Sequence, residues 1–120
     1  MATRKLKNYL RTHRRRAGFW QSEIAYLVGR GGVSKISRYE QFRREPSLRT
    51  ALALAVIMNT PVDELFAGVF EEVQIDVYGR MKALAQTLQD SESATRQEHQ
   101  RKAYLIALLE HLSSLPGHEE

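Results

Sequence analysis

Cysteine is absent from the 120 residues, so there is no disulfide scaffold, no thiol nucleophile and no thiolate metal site. Long apolar runs are absent too. The longest, Ala51–Met58, falls far short of the roughly 20 residues that cross a bilayer. The basic stretch Met1 to Lys7 is not followed by an apolar segment with a small-residue cleavage site, so no signal peptide is expected. No internal repeat and no low-complexity tract occurs. What is present, 42% hydrophobic and 27% charged residues, describes an ordinary soluble globular chain with no membrane role, and a cytoplasmic location is the default. The length allows one domain, or one small domain with an appended helical piece.

The formal net charge of +4 conceals a division. Residues 1–50 hold 13 Lys+Arg and 3 Asp+Glu, a net of +10; residues 51–120 hold 5 and 11, a net of −6. Such asymmetry suggests a first half that faces a polyanion and a second half with another task. A pair of oppositely charged faces that merely keep the protein soluble is the plainer alternative.

Hydrophobic periodicity is helical nearly throughout. Leu6, Tyr9, Leu10, His13 and Ala17 recur at three- and four-residue steps and predict a first helix over Arg4–Ala17, ended by Gly18. A second is expected at about Gln21–Val28, stopping at Gly29. After the turn Gly29-Arg30-Gly31-Gly32, a third covers about Val33–Gln41, with Val33, Ile36 and Tyr39 inward. Ser47 can cap a fourth, Leu48–Met58, apolar almost all round and therefore assigned to the core, with Asn59 closing it. Thr60-Pro61 reads as the cap and first position of a fifth helix carrying Val62, Leu65, Phe66, Val69 and Phe70. Val73, Ile75 and Val77 alternate as a strand would. The steps of three and four through Phe70, Val73, Val77, Met81, Leu84 and Leu88 favour a helix to about Gln89 instead. A last helix is expected over Ala94–Leu115, with the frayed acidic end beyond it. The expected fold is all-α: a five-helix domain over residues 1–70, then two longer amphipathic helices over 71–120.

Two short helices joined by a glycine turn, with basic residues after the second, form a helix-turn-helix pattern. Ala25 sits where the helices cross and only a small side chain fits, Gly29 where the chain must turn, and Ile36 anchors the next helix inward. Six segments carry a family likeness: Gly18-Phe19-Trp20-Gln21, Glu23-Ile24-Ala25, Gly29, Ile36-Ser37-Arg38-Tyr39-Glu40, Pro46-Ser47 and Pro61-Val62-Asp63-Glu64-Leu65-Phe66. In this order and spacing the chain resembles the Cro and phage-repressor-like (xenobiotic-response-element type) helix-turn-helix proteins over about Leu6–Phe66. The resemblance implies a five-helix repressor-like DNA-binding domain whose third helix enters the major groove. Three departures stand out. The segment Gly29–Ile36 is one residue longer, which bears on the aim of the third helix. Trp20 replaces the family's serine or threonine cap, leaving its ring to pack on the domain or lie beside the DNA backbone. Gln41-Phe42 replaces the usual Asn-Gly of the exit turn.

With Val33, Ile36 and Tyr39 inward, the third helix turns Ser34, Lys35, Ser37, Arg38 and Gln41 outward, where side chains can reach base edges. Arg38 leads the base-contact candidates because a guanidinium can bridge both acceptors of a guanine; Ser34, Lys35 and Ser37 follow. Contact with phosphate only, or with solvent, is the alternative for Lys35 and Arg38. Gln21 resembles the family's phosphate-contacting glutamine, aided by the helix N-terminus. Arg43 and Arg44 are placed for the phosphate backbone, and Arg30, Arg14 and Arg15 are further phosphate candidates, although Arg11, Arg14, Arg15 and Arg16 cannot all share one face. Glu40 is assigned a structural role, as the family's partner to an arginine of the first helix.

The glycine turn lacks the Gly-Lys-Ser/Thr ending of a phosphate-cradling loop and follows a helix rather than a strand. His13, His99, His111 and His118 share no metal-ligand spacing, and no nucleophile–base pair is visible. No metal, no cofactor and no catalysis are therefore expected. The partners expected are double-stranded DNA and a second copy joined through the C-terminal helices; a different protein, such as a toxin or another regulator, is the alternative. A bacterial or phage-type regulator associated with the nucleoid is the setting this implies.

Overall fold

The structure, a computed structural model, describes residues 5–90 and 95–114. It holds seven helices and no strand among the described residues: α1 (Leu10–Ala17), α2 (Gln21–Val28), α3 (Val33–Glu40), α4 (Leu48–Met58), α5 (Val62–Leu65), α6 (Ala67–Asp90) and α7 (Arg96–Ser113). The all-α expectation holds, with the helix-turn-helix elements first and the longer helices after them. Compact packing divides the chain into two units between Glu72 and Val73.

In the first unit, α1 starts at Leu10 rather than Arg4. The reason lies in Asn8, whose Oδ1 accepts the Leu10 N–H at 3.0 Å, and in the backbone before it, which bonds to the far end of the unit. Tyr9 N–H donates to the Leu65 carbonyl and Gly68 N–H to the Leu6 carbonyl, each at 2.8 Å. A segment whose backbone groups are used in this way cannot also close a helical turn. At the other end, Gly18 takes φ 82 and caps α1, as the sequence predicts.

The N-terminus of α2 shows what the Trp20 departure does. An indole offers no acceptor, so the Glu23 N–H turns to the Trp20 backbone carbonyl at 3.1 Å. The reciprocal half of a capping box survives, with Glu23 Oε1 accepting the Trp20 N–H at 2.8 Å. For α4, Ser47 Oγ accepts from the Thr50 N–H at 3.3 Å, and Asn59 closes the helix in the left-handed region at φ 48. The fifth helix departs from expectation. It is only Val62–Leu65, Pro61 is the cap rather than the first helical residue, and Thr60 Oγ1 donates back to the Met58 carbonyl at 2.9 Å instead of capping forward. Val69 and Phe70 consequently belong to α6.

Leu10, Ile24, Ile36, Tyr39, Leu54, Leu65 and Phe66 form the core, one or two from each of the first five helices and the turn after α5. Each such side chain contributes about 1.5–3 kcal/mol by leaving water. Two expectations are corrected here. Val33, at the first position of α3, is 43% exposed rather than inward. Of α4, only Leu54 is fully buried, while Leu48, Leu52 and Val56, spaced four apart, are exposed. A unit this small has too few neighbours to surround a helix, however apolar its composition.

Beyond the first unit, α6 runs unbroken through Val73, Ile75 and Val77, so the strand alternative is excluded. In α7, Thr95 Oγ1 accepts the Glu98 N–H at 3.3 Å and sets the helix start; the expected ends, Ala94 and Leu115, lie outside the described residues. Ala85 and Leu105 are the buried apolar residues of this second unit among those described.

Candidate nucleic-acid interface

The turn between α2 and α3 is built on three glycines, two of which need their freedom. Gly29, at φ 83, ends α2 with its N–H on the Ala25 carbonyl at 3.1 Å, and Gly31 stands at φ 73. Gly32 is extended and caps α3, its carbonyl accepting the Lys35 and Ile36 N–H groups. The glycine turn thus ends at Gly32, and α3 starts at Val33 as the sequence predicts. Ala25 is half-buried against the core, and α2 packs on both α3 and α4.

Ile36, Tyr39 and Glu40 are the buried residues of α3. Opposite them, Ser34 and Arg38 are exposed, while Lys35 and Ser37 are half-buried. The Lys35 stem crosses the turn, where it would meet any Cβ added to Gly31. Ser37 Oγ accepts from Gln41 Nε2 at 3.0 Å. The exit turn is closed by the Arg43 N–H on the Arg38 carbonyl at 2.9 Å and passes through Phe42 at φ 63, a left-handed position where a glycine would be unstrained. Arg43 and Arg44 follow it, both exposed, and Arg30 is exposed in the glycine turn.

Below this surface lies a buried polar network. Glu40 accepts from Arg14 Nε at 2.6 Å, from Arg14 Nη2 at 3.1 Å and from Gln21 Nε2 at 3.0 Å. Arg14 Nη1 donates to the Phe19 carbonyl at 3.0 Å. The hydrogen bond to Glu40 raises the Arg14 pKa, its carboxylate charge adds to this, and burial opposes it. The structural partner of Glu40 is therefore Arg14. This use differs from the phosphate contact expected of Arg14, whose side chain is 12% exposed and whose donors point into the domain. Gln21 also spends one amide hydrogen inward, which leaves one for an external acceptor. Arg11 and Arg15 remain exposed and line, with Gln21 and Gln41, a cleft of about 240 Å3 over the Arg14–Glu40 pair.

One positioning residue escaped the sequence reading. Asn8, 6% exposed, donates from Nδ2 to the Tyr39 carbonyl at 2.9 Å while its Oδ1 accepts the Leu10 N–H at 3.0 Å, and so ties the end of α3 to the start of α1. Its signal was an asparagine at a helix start, masked by an apolar pattern that continues upstream of it. Among the described residues, no group of His, Asp or Glu side chains is arranged to hold a metal ion, and no helix is long and apolar enough to cross a membrane.

No curated protein and no solved structure matches the chain. Residues 6–67, by contrast, match the family model of the helix-turn-helix domain, a span that starts in the backbone-paired segment before α1 and reaches the first residue of α6. With α2, the glycine turn and α3 in the arrangement described, the chain belongs to the helix-turn-helix domain family.

Proposed function

We propose that the chain is a sequence-specific, double-stranded DNA-binding transcriptional regulator that acts as a homodimer. The observation that carries this reading is the division of α3: Ile36, Tyr39 and Glu40 hold it in the domain, while Ser34 and Arg38 are left in solvent with Lys35 and Ser37 beside them. In this reading α3 enters the major groove, Arg38, Ser34, Lys35 and Ser37 read bases, and Gln21, Arg15, Arg30, Arg43 and Arg44 hold phosphates. Residues 1–70 bind DNA and residues 71–120 associate two copies, which would present two α3 helices to two half-sites. The apolar stripe of the second unit's part of α6 supports association: Val73, Val77 and Leu84 are each 42–50% exposed, an arrangement that a second copy could cover.

Selection of bound sequences from a random duplex pool tests the reading. It predicts an enriched motif with two half-sites and an affinity that falls steeply with salt. The exposed Leu48, Leu52 and Val56 of α4 favour a second reading, a protein-interaction module such as an antitoxin or adaptor with little sequence reading. Failure to enrich any motif would favour it.

A further inference from the structure

Trp20 is the only tryptophan of the chain, and it is 74% exposed. Burial of so large an apolar side chain would be favourable, and here most of it is left in solvent. Its backbone is nonetheless firmly held, the N–H on Glu23 Oε1 at 2.8 Å and the carbonyl accepting from the Glu23 and Ile24 N–H groups. The side chain is therefore presented from a fixed backbone. No hydrogen bond within the described residues engages its Nε1–H. Its chain neighbour Gln21 opens the cleft lined by the exposed Arg11 and Arg15, cations without a carboxylate partner among the described residues.

We propose that Trp20 is itself a DNA-backbone contact, in which the indole covers a deoxyribose and its Nε1–H donates to a phosphate next to those facing Arg11, Arg15 and Gln21. An exposed aromatic surface with one donor at its edge, next in sequence to a residue that shares a cleft with two exposed cations, matches the sugar-phosphate chain, which alternates an apolar ring with an anionic acceptor. The helix cap that a serine or threonine would supply at this position is given up, and the DNA contact is gained. The proposal rests on the DNA-binding reading above.

The two roles of position 20 can be separated because one substitution moves them in opposite directions. Trp20→Ser restores a side-chain acceptor for the Glu23 N–H and should raise the thermal midpoint of the intact protein. The same substitution should weaken binding to a labelled random-sequence duplex by about two- to tenfold, the range of one neutral hydrogen bond. The slope of log affinity against log salt should stay unchanged, because no cation is removed. Trp20→Phe, which keeps a ring and loses the donor, should fall between. In the wild-type protein the emission of this sole tryptophan should shift to the blue as duplex is added, as the indole leaves water. Anisotropy of the labelled duplex reports binding independently. If it shows binding while the emission stays constant and Trp20→Ser binds as the wild type does, the proposal is overturned and the DNA-binding reading stands. If the anisotropy does not change at all, both fall.

Discussion

Arg14 grips Glu40 through two nitrogens, Nε at 2.6 Å and Nη2 at 3.1 Å, and thereby fastens the first helix to the last residue of α3. The carboxylate side chain is 3% exposed. Removing only the cation would leave a buried charge with Gln21 as its remaining side-chain donor. Arg14→Ala should therefore lower the unfolding free energy by about 3 kcal/mol in urea titration, the usual cost of breaking a buried pair from one side. Because the Arg14 pKa is raised, its contribution is fully present below the ordinary arginine value and is lost only as pH rises through the raised one. The arginine side of the pair should thus add no pH dependence between neutral and moderately alkaline conditions.

Gly68 and Gly79 lie in the same helix but differ in what surrounds them. A Cβ on Gly68 would run into the backbone of Leu6 and Lys7, whereas one on Gly79 meets nothing. Gly68→Ala should destabilise by about 2 kcal/mol through overpacking. Gly79→Ala should stabilise by about 0.5–1 kcal/mol through helix propensity alone. Thermal melts of the two variants, read against the wild type, would check both signs.

The proposed division between base and phosphate contacts predicts two kinds of loss. Arg38→Ala should flatten base preference at one position of a selected site, at a cost of about 1–3 kcal/mol on that site. Arg44→Ala should weaken every duplex alike and reduce the salt slope by about 1. Binding to selected and scrambled duplexes across a salt series would distinguish them; identical profiles for the two variants would contradict the division.

For self-association, the stripe on α6 supplies the handle. Val77→Glu or Leu84→Glu places a charge on a half-exposed apolar face without touching the core of the first unit. Sedimentation equilibrium of the full chain should show a dimer for the wild type and a monomer for either variant. A variant with wild-type mass would rule out α6 as the dimer surface.

The sequence punctuates most of this fold clearly. Gly18, Gly29, Ser47 and Asn59 end or start helices where local rules place them, so the bounds of α2 and α4 read directly and α3 differs only at Gln41. The first helix misleads because its apolar rhythm continues through Leu6 and Tyr9, while the backbone there is claimed by Leu65 and Gly68, some sixty residues away in sequence. Periodicity carries no information about such a partner. The fully apolar reading of α4 fails for a different reason: composition reports what a helix could bury, not what its neighbours can cover. At the candidate interface, the pairing of Glu40 with the first helix was legible through the family likeness. The choice of Arg14 among four clustered arginines, and the inward turn of the Gln21 amide, depend on side-chain geometry alone.

The backbone pairing of residues 6–9 with 65–69 has a practical meaning for anyone dissecting this protein. The span that matches the family stops at residue 67, one residue before the N–H of Gly68 reaches the Leu6 carbonyl. A fragment cut to the matched span would lose that clasp and the close seat of Gly68 on Leu6. A fragment meant to keep the whole pairing should therefore run through Val69, whose N–H reaches the Lys7 carbonyl at 3.4 Å.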